Sequence, residues 1–462
     1  MNNEWDTIVV GGGASGLGTA LESASRGYRT LLIERGDFAS YTSSKSTKLI
    51  HGGVRYLKQG NLRLVREALL ERSFLLEKIP EIVKERSIIL PTSSFIEKNY
   101  YKLGIFTYDQ LAGSNNIRRS KWLSKEQLIK SIPYLKRTFN GGILFYDAQF
   151  DDSRLAIQLA RSIYDYSGTA VNYTEVIRID SKRKQIACID HKKGNEITLR
   201  YKHLINATGP FLDRLCNLEN SKNTKKTIRF SRGSHLLINS NRFKQKDGLI
   251  LPRTKDGRVL FILPWKGIIL AGTTDVEMKH LGSEPKVSNE EVEFILSGIR
   301  SIYDVNIEQK DIISAFSGIR PLSNQNSTKN TSKISREHRM FFSESGMLSI
   351  SGGKWTTFRK IGEDTINFLE KLNHLKPTIS LGHEIQINNH LKLWHQAEAL
   401  YGKEPINQEI IIRGRNLARS LKKEEYAFNA EDILQRRTRV GLLAPKTAKK
   451  WKPILDQALD IL

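Results

Sequence analysis

Three glycines, Gly11, Gly13 and Gly16, stand at G-x-G-x-x-G spacing inside the stretch Asp6 to Glu34, DTIVVGGGASGLGTALESASRGYRTLLIE. That spacing can cradle a dinucleotide pyrophosphate. The first glycine allows a tight turn, the second lets the backbone approach the phosphates, and the third brings a helix close to a strand. Ala14 and Ser15 open that helix, whose N-terminal N–H groups and dipole favour an anion. Glu34 lies near the offset of ~20 residues expected of a carboxylate that binds a ribose hydroxyl. It disfavours a 2′-phosphate, hence NADP, and does not separate NAD from FAD. The elements that must position these residues are legible around them. Thr7 to Val10 is a short, mostly β-branched run suited to a buried parallel strand. Ala14 to Ser25 reads as the helix and Tyr28 to Ile33 as a second strand. Glycine-rich turns alone are common in loops; here the strand, helix and acid accompany one.

After Glu34, the stretch Arg35 to Tyr56 gathers Thr42, Ser43, Ser44, Ser46 and Thr47 ahead of His51-Gly52-Gly53. A hydroxyl-rich loop by itself is usually only solvated. Behind a dinucleotide turn it can wrap a cofactor, and the glycine pair lets a flat ring approach the backbone. Its sequence, TSSKSTKLIHGGVRYL, closely resembles the signature of the FAD-dependent, membrane-associated glycerol-3-phosphate dehydrogenases. The resemblance continues in order through YDAQFDDSRL (146–155), LINATGPF (204–211), RGSHLL (232–237), LPWKGIILAGTTD (263–275), SGIRPL (317–322), SREH (335–338) and SGGKWTTFRK (351–360). It implies FAD as cofactor, held by Gly11, Gly13, Ala14, Ser15, Gly16, Glu34, Arg35, Thr42, Ser43, Ser44, Lys48, Leu49, His51, Gly52, Gly53, Ala207, Thr208, Gly209, Gly353, Lys354 and Thr356.

The implied reaction is oxidation of sn-glycerol 3-phosphate to dihydroxyacetone phosphate. The C2 hydride would go to flavin N5 and the electrons onward to a membrane quinone. A phosphate dianion calls for cationic clamps, best an arginine fork. Arg55, Arg320, Arg336 and Lys354 fall in the matching motifs. Each alone would be an ordinary surface charge; together, in motifs that converge in the family fold, they favour substrate binding. His235 is the first choice of base, since an unperturbed pKa of ~6.5 suits proton transfer near neutrality. His51 competes for that role and is assigned to the flavin region. Tyr56 and Thr274 would add substrate hydrogen bonds, and Arg320 would also stabilise the developing alkoxide. Trp355 stands where a smaller side chain is expected and bears on access to the flavin.

The expected fold is α/β. A Rossmann-type FAD-binding domain (1–80, 146–226 and 311–385) would carry an antiparallel-sheet substrate, or cap, domain (81–145 and 227–310) and a small C-terminal helical domain (386–462). Asn61 to Lys78, Asp151 to Tyr166 and Asn289 to Tyr303 read as helices, with Asp152 or Ser153 starting the second. Ala170 to Arg200 reads as short strands turning near Lys192 to Asn195, and Thr227 to Asp275 as antiparallel strands. Asn99 to Leu111 mixes aromatic and basic residues, a pattern found both at membrane interfaces and in packing between domains. Arg436, Arg437, Thr438 and Arg439 resemble a basic patch of the family's C-terminal domain. The portion after about residue 385 looks short for the family, so dimer contacts are in doubt; a homodimer is compatible with the resemblance.

The net charge is +24 over 462 residues. It has two readings: attraction to an anionic partner such as a membrane surface, or a lysine-rich solvated exterior. Cys188 and Cys216 form no disulfide framework or metal-ligand spacing, and no metal is expected. The cofactor strand begins within the first ten residues, so no secretory signal is expected, and no apolar run reaches the ~18 residues of a span. The expected location is therefore cytoplasmic, peripheral on the inner face of the cytoplasmic membrane. The nearest alternative is a glycerol-3-phosphate oxidase that uses oxygen and releases hydrogen peroxide; no inserted segment of the oxidase kind is seen. A basic nucleic-acid-binding protein would need a motif that is absent, so no nucleic acid is expected.

Overall fold

In the computed structural model, residues 4–53, 60–219, 227–243, 245–252, 254, 258–282, 285–323 and 338–460 are described. Their strands form two sheets, one of eight strands and one of ten. The first grows from Glu4–Val10, where Ile8 and Val9 are wholly buried, as a strand covered on both faces requires. This strand pairs in parallel with Thr30–Ile33 and with the end of Asn195–Asn206. Thr169–Val171 and Leu348–Ser351 extend the parallel set outward, and Arg339–Phe342 closes one edge antiparallel. The outer half of Asn195–Asn206 turns back through Gln185–Asp190 to Thr174–Asp180. This is the expected meander, and Gly194 takes a positive φ at its turn.

The second sheet is built on Ile228–Ile238, which pairs along its whole length with Ile312–Ser323. Its other edge carries Ile268–Gly272 and Val276–Met278. From there the sheet runs through Leu260–Trp265, Gly248–Leu251, Val83–Thr92 and Gly141–Phe150 to the short strand Leu49–Ile50. The pairs are antiparallel as expected, except that Gly248–Leu251 runs parallel to Val83–Thr92. Three strands depart from the domains drawn from sequence, among them the short Leu49–Ile50, which lies in the stretch assigned to the FAD-binding domain yet belongs to this sheet. Gly141–Phe150 runs unbroken through 145/146, because Val83–Thr92 pairs with all of it. Ile312–Ser323, from the segment assigned to the FAD-binding domain, belongs to this sheet.

The helices begin where polar side chains can take the first free amides. Asn61 caps Leu62–Lys78, and Ser288 caps Asn289–Ile302 in a reciprocal box with Glu291. Asp152–Asp165 is capped by Asp151, one residue before the expected start, through its side chain and Arg154 N. After residue 385 the chain forms Lys392–Tyr401, Gln408–Glu425, a π-helical turn at Asp432–Arg437, and Val440–Leu443 followed by Pro445–Asp460.

The residues expected as a basic patch are not on the surface. Arg437 and Arg439 are almost wholly buried and Arg436 nearly so, in ion pairs with Asp37, Asp151, Asp152 and Asp432. Buried guanidiniums require such partners, because desolvation of an unpaired charge is prohibitive. No helix among the described residues is long and apolar enough to cross a membrane.

Candidate active site

The glycine turn has the close contacts its spacing demands. Gly11 has a φ of +115°, and a Cβ on Gly16 would overlap the Gly11 carbonyl oxygen. The helix Ala14–Ser25 is thus pressed directly onto the end of the first strand. The Glu34 carboxylate accepts from Gly12 N at 2.6 Å and Gly36 N at 2.8 Å. Burial raises its pKa, while the two amides pull it back.

The hydroxyl-rich loop is fastened on three sides. Ser43 Oγ accepts from Ala14 N at 3.0 Å, Thr42 Oγ1 donates to the Ile319 carbonyl at 2.6 Å, and Trp355 Nε1 donates to the Ser43 carbonyl at 2.7 Å. The loop therefore joins the nucleotide helix, the second sheet and the segment after Gly353. Trp355 also packs edge-on against Phe150 and Phe358. Its bulk serves to hold the loop.

The second sheet presents the polar chemistry. The register of Ile228–Ile238 against Ile312–Ser323 sets Ser231 opposite Arg320 and His235 opposite Phe316. The His235 ring stacks on Phe316 with centroids 4.9 Å apart, and its Nε2 lies 2.9 Å from Thr47 Oγ1. Its Nδ1 has no hydrogen-bond partner among the described residues. Position 272 must be glycine for this arrangement, since a Cβ there would overlap the imidazole. Burial lowers the His235 pKa well below its ordinary value, with Arg320 and then Lys48 adding to the effect. The ring is therefore neutral at pH 7. Arg320 donates to Thr273 Oγ1 at 2.7 Å and to the Thr274 carbonyl at 3.2 Å, which fixes its fork.

A cavity of about 810 Å³ joins these parts. Among the expected residues, Gly11, Gly13, Ala14, Ser15, Glu34, Arg35, Thr42, Ser43, Leu49, His51, Gly53, Ala207, Thr208, Gly209, Gly353, Lys354 and Thr356 line it, and so do His235 and Arg320. Others are placed behind it. Gly16 lies under Gly11, and Gly52 donates its N–H to Tyr108 Oη at 2.8 Å. The Ser44 hydroxyl donates to the Tyr41 carbonyl, and Lys48 Nζ donates to the Ser44 carbonyl at 2.7 Å and to Asp152 Oδ2 at 2.6 Å. The Thr274 hydroxyl donates to Glu291 at 2.7 Å and accepts from Ser234 N, so this residue supports Arg320 through its carbonyl and does not line the cavity. Arg55, Tyr56 and Arg336 lie outside the described residues.

Thr47 and Thr273 line the cavity without having been assigned to the site from sequence, as do Thr174 and Val176 on the Glu34 side. Thr47 and Thr273 sit in quoted motifs, so the signal existed; that Thr273 and not Thr274 faces the cavity is decided only by the fold. The cavity also has apolar walls, from Leu90, Phe145, Ile250 and Phe261 and from Tyr101, Leu103 and Ile105 of the helix Phe95–Ala112.

The residues present fit FAD. The turn at Gly11 leaves no room for side chains, a buried carboxylate stands at the second strand end, and the cavity continues to the Gly353–Thr356 backbone and the His235 face. The FAD dependent oxidoreductase family (DAO) matches residues 6–359. The chain is 36% identical over 508 residues to the mitochondrial glycerol-3-phosphate dehydrogenase of Bos taurus, covering 98% of this chain and 69% of that protein. Identity to the corresponding Homo sapiens protein is also 36%, with the same shares covered. Among solved structures, the glycerol-3-phosphate dehydrogenase of Bacillus halodurans complexed with FAD has a TM-score of 0.74 at 24% identity, covering 98% of this chain and 89% of that one. The L-α-glycerophosphate oxidase of Mycoplasma pneumoniae with FAD bound gives 0.64 at 18% identity, covering 83% and 98%. These two likenesses speak to the fold, while the sequence identities carry the kinship: the chain belongs to the FAD-dependent oxidoreductases and, within them, to the glycerol-3-phosphate dehydrogenase family.

Proposed function

We propose that this enzyme oxidises sn-glycerol 3-phosphate to dihydroxyacetone phosphate and passes the electrons to a membrane quinone. The observation that carries the reading is the shared cavity. It sets Arg320 and a buried, neutral His235 on one sheet face, with Lys354 also lining it, across from the dinucleotide turn. Bound FAD supplies the hydride acceptor, at its N5. Arg320 and Lys354 hold the phosphate dianion, the arginine through a fork already oriented by Thr273 and Thr274. When His235 donates a hydrogen bond from Nε2–H to Thr47 Oγ1, Nδ1 is left as the atom able to take the proton of the C2 hydroxyl. Its low pKa keeps that lone pair available at neutral pH. Arg55, Tyr56 and Arg336 complete the proposed substrate set.

The quinone and membrane parts rest on the helix Phe95–Ala112. Its inner face buries Ile105, Tyr108 and Ala112, whereas Phe95, Ile96, Tyr100, Leu103 and Phe106 are each more than half exposed. Their spacing places most of them along one side of the helix. An apolar stripe of this kind on a strongly basic protein suits a bilayer with anionic lipid. Tyr100 and Leu103 also line the cavity, so the same helix borders both the bilayer and the site. The proposed location in a bacterial cell is peripheral, on the inner face of the cytoplasmic membrane.

The test is anaerobic. Glycerol 3-phosphate added to the FAD-loaded protein should bleach the oxidised flavin band, whereas glycerol should not. A short-chain quinone should then restore the band faster than oxygen does. A flavin that stays oxidised would refute the substrate. Faster return with oxygen, accompanied by hydrogen peroxide, would favour the oxidase.

A further inference from the structure

Arg439 lies outside the family match, which ends at residue 359, yet it is buried directly behind the cofactor loop. Its Nε and Nη2 donate to Asp151 Oδ1 at 3.0 and 2.8 Å, and Nη2 also donates to Asp152 Oδ1. The other carboxylate oxygen of Asp152 accepts from Ser46 N at 3.1 Å, Ser46 Oγ at 2.6 Å and Lys48 Nζ at 2.6 Å. Lys48 N donates back to Ser46 Oγ at 3.0 Å, and the Lys48 carbonyl accepts from Phe150 N at 3.0 Å. Thr47 stands between these two anchored residues, with its hydroxyl 2.9 Å from His235 Nε2.

We propose that Arg439 is a positioning residue for the active site: through Asp152 it fixes Ser46 and Lys48, and so sets Thr47 Oγ1 against His235. The role rests on the reading of His235 as the base. The charges in the knot nearly cancel, with Asp151 and Asp152 facing Arg439 and Lys48, and Lys266 Nζ on the rim 3.5 Å from Asp151. A buried carboxylate that accepts five donors, Arg439 on one side, Ser46 and Lys48 on the other and Ser153 N of its own helix, has little freedom to move. Without the guanidinium, Asp152 Oδ1 keeps only Ser153 N, while Oδ2 keeps Ser46 and the charged Lys48, and the carboxylate is drawn toward Lys48. Ser46 and Lys48 then shift together, and Thr47 shifts with them. A neutral imidazole has two tautomers, and the partner of one nitrogen selects which the other presents. Displacement of Thr47 therefore costs the base its orientation, even though the described C-terminal segment contributes no residue to the lining of the cavity.

The experiment is a double-mutant cycle on the FAD-loaded enzyme with Thr47→Val, Arg439→Lys and the pair together. The lysine keeps a cation and loses the fork. Each single variant should lower kcat with glycerol 3-phosphate by about 10- to 100-fold, the scale of a small misplacement of a catalytic group, while KM moves by less than about threefold. The double variant should be no slower than the worse single. With 15N-labelled histidine, the His235 signal, assigned through His235→Gln, should move in the same sense in both singles. If Arg439→Lys does not retain FAD, Ser46→Ala replaces it, since it removes the hydroxyl's bonds to Asp152 and Lys48 N and leaves every buried charge in place. Losses that multiply in the double variant overturn the proposal. So does a replaced Arg439 that lowers FAD affinity or melting temperature while kcat and the His235 signal stay as in the wild type. A wild-type enzyme that glycerol 3-phosphate does not reduce overturns the substrate reading first, and this role with it.

Discussion

Replacing Asp37 with asparagine should loosen the C-terminal helices from the cofactor half. Asp37 lies just past the second strand, where it accepts Arg436 Nε at 2.5 Å, Arg437 Nη2 at 2.9 Å and a further short contact from Arg437 Nη1. Asp37 and Arg437 are essentially unexposed. In the variant Arg436 keeps Asp432 at 2.5 Å, whereas Arg437 loses its charged partner and retains, among the described residues, the Glu425 carbonyl and the neutral amide oxygen of the new side chain. Breaking a buried pair by removing one partner costs about 3–5 kcal/mol. With Arg436 still paired, the lower end applies, about 3 kcal/mol, or roughly a hundredfold in a local opening constant.

The assay is native-state hydrogen exchange over Gln408–Glu425 and Pro445–Asp460, which reads local opening without assuming that the whole chain unfolds in one step. Amide protection there should fall about a hundredfold at pH 7. Added salt should not restore it, because buried pairs are little screened. The wild type should show a matching acid dependence. Burial would raise the Asp37 pKa, but Arg437 and Arg436 outweigh burial and hold it at about 2, below its ordinary 3.8. A depressed carboxyl contributes its stability above the unfolded pKa and loses it as pH falls through the folded one. Wild-type protection should therefore decline between about pH 4 and pH 2 through this group, and the variant should lack that component. Protection in Asp37→Asn within about threefold of wild type, or full recovery in salt, would refute the reasoning.

Three further outcomes are expected at the site. The acid limb of kcat, read at saturating substrate because a phosphate monoester itself titrates near ~6, should fall below the ordinary histidine range, since burial lowers the His235 pKa; a limb centred above neutrality would exclude His235 as the base. Gly272→Ala places a Cβ into the His235 ring and should lower kcat by about a hundredfold while FAD affinity, measured by flavin fluorescence, stays nearly unchanged; equal loss of FAD would show that the glycine serves the fold instead. Arg320→Lys removes the fork fixed by Thr273 and Thr274, so KM for glycerol 3-phosphate should rise about 10- to 100-fold, the scale of a charge-assisted hydrogen bond, and an unchanged KM would move the phosphate elsewhere in the cavity.

What the sequence determined by itself is the local chemistry. The glycine spacing, the acid after the second strand, the hydroxyl loop and the RGSH and SGIRP motifs are each set by contacts within a few residues or by one repeated backbone geometry. That is why the first strand, the nucleotide helix and the meander after residue 169 lie where the pattern puts them. Strand ladders and buried charge pairs join residues far apart in the chain, and no periodicity encodes their partners. Gly141–Phe150 gives no sign in its own residues that it must cross the boundary drawn at 145, because its ladder with Val83–Thr92 is a long-range contact. Arg436, Arg437 and Arg439 read as surface charge until the fold brings Asp37, Asp151 and Asp152 to them across roughly three to four hundred residues. Lys48 and Thr47 are neighbours in one motif, yet the left-handed backbone at Lys48 and the packing turn one toward Asp152 and the other toward His235. Residue type could nominate the participants; only the tertiary structure decided which of them face the cavity and which hold it open, because burial and pairing are properties of the assembled chain.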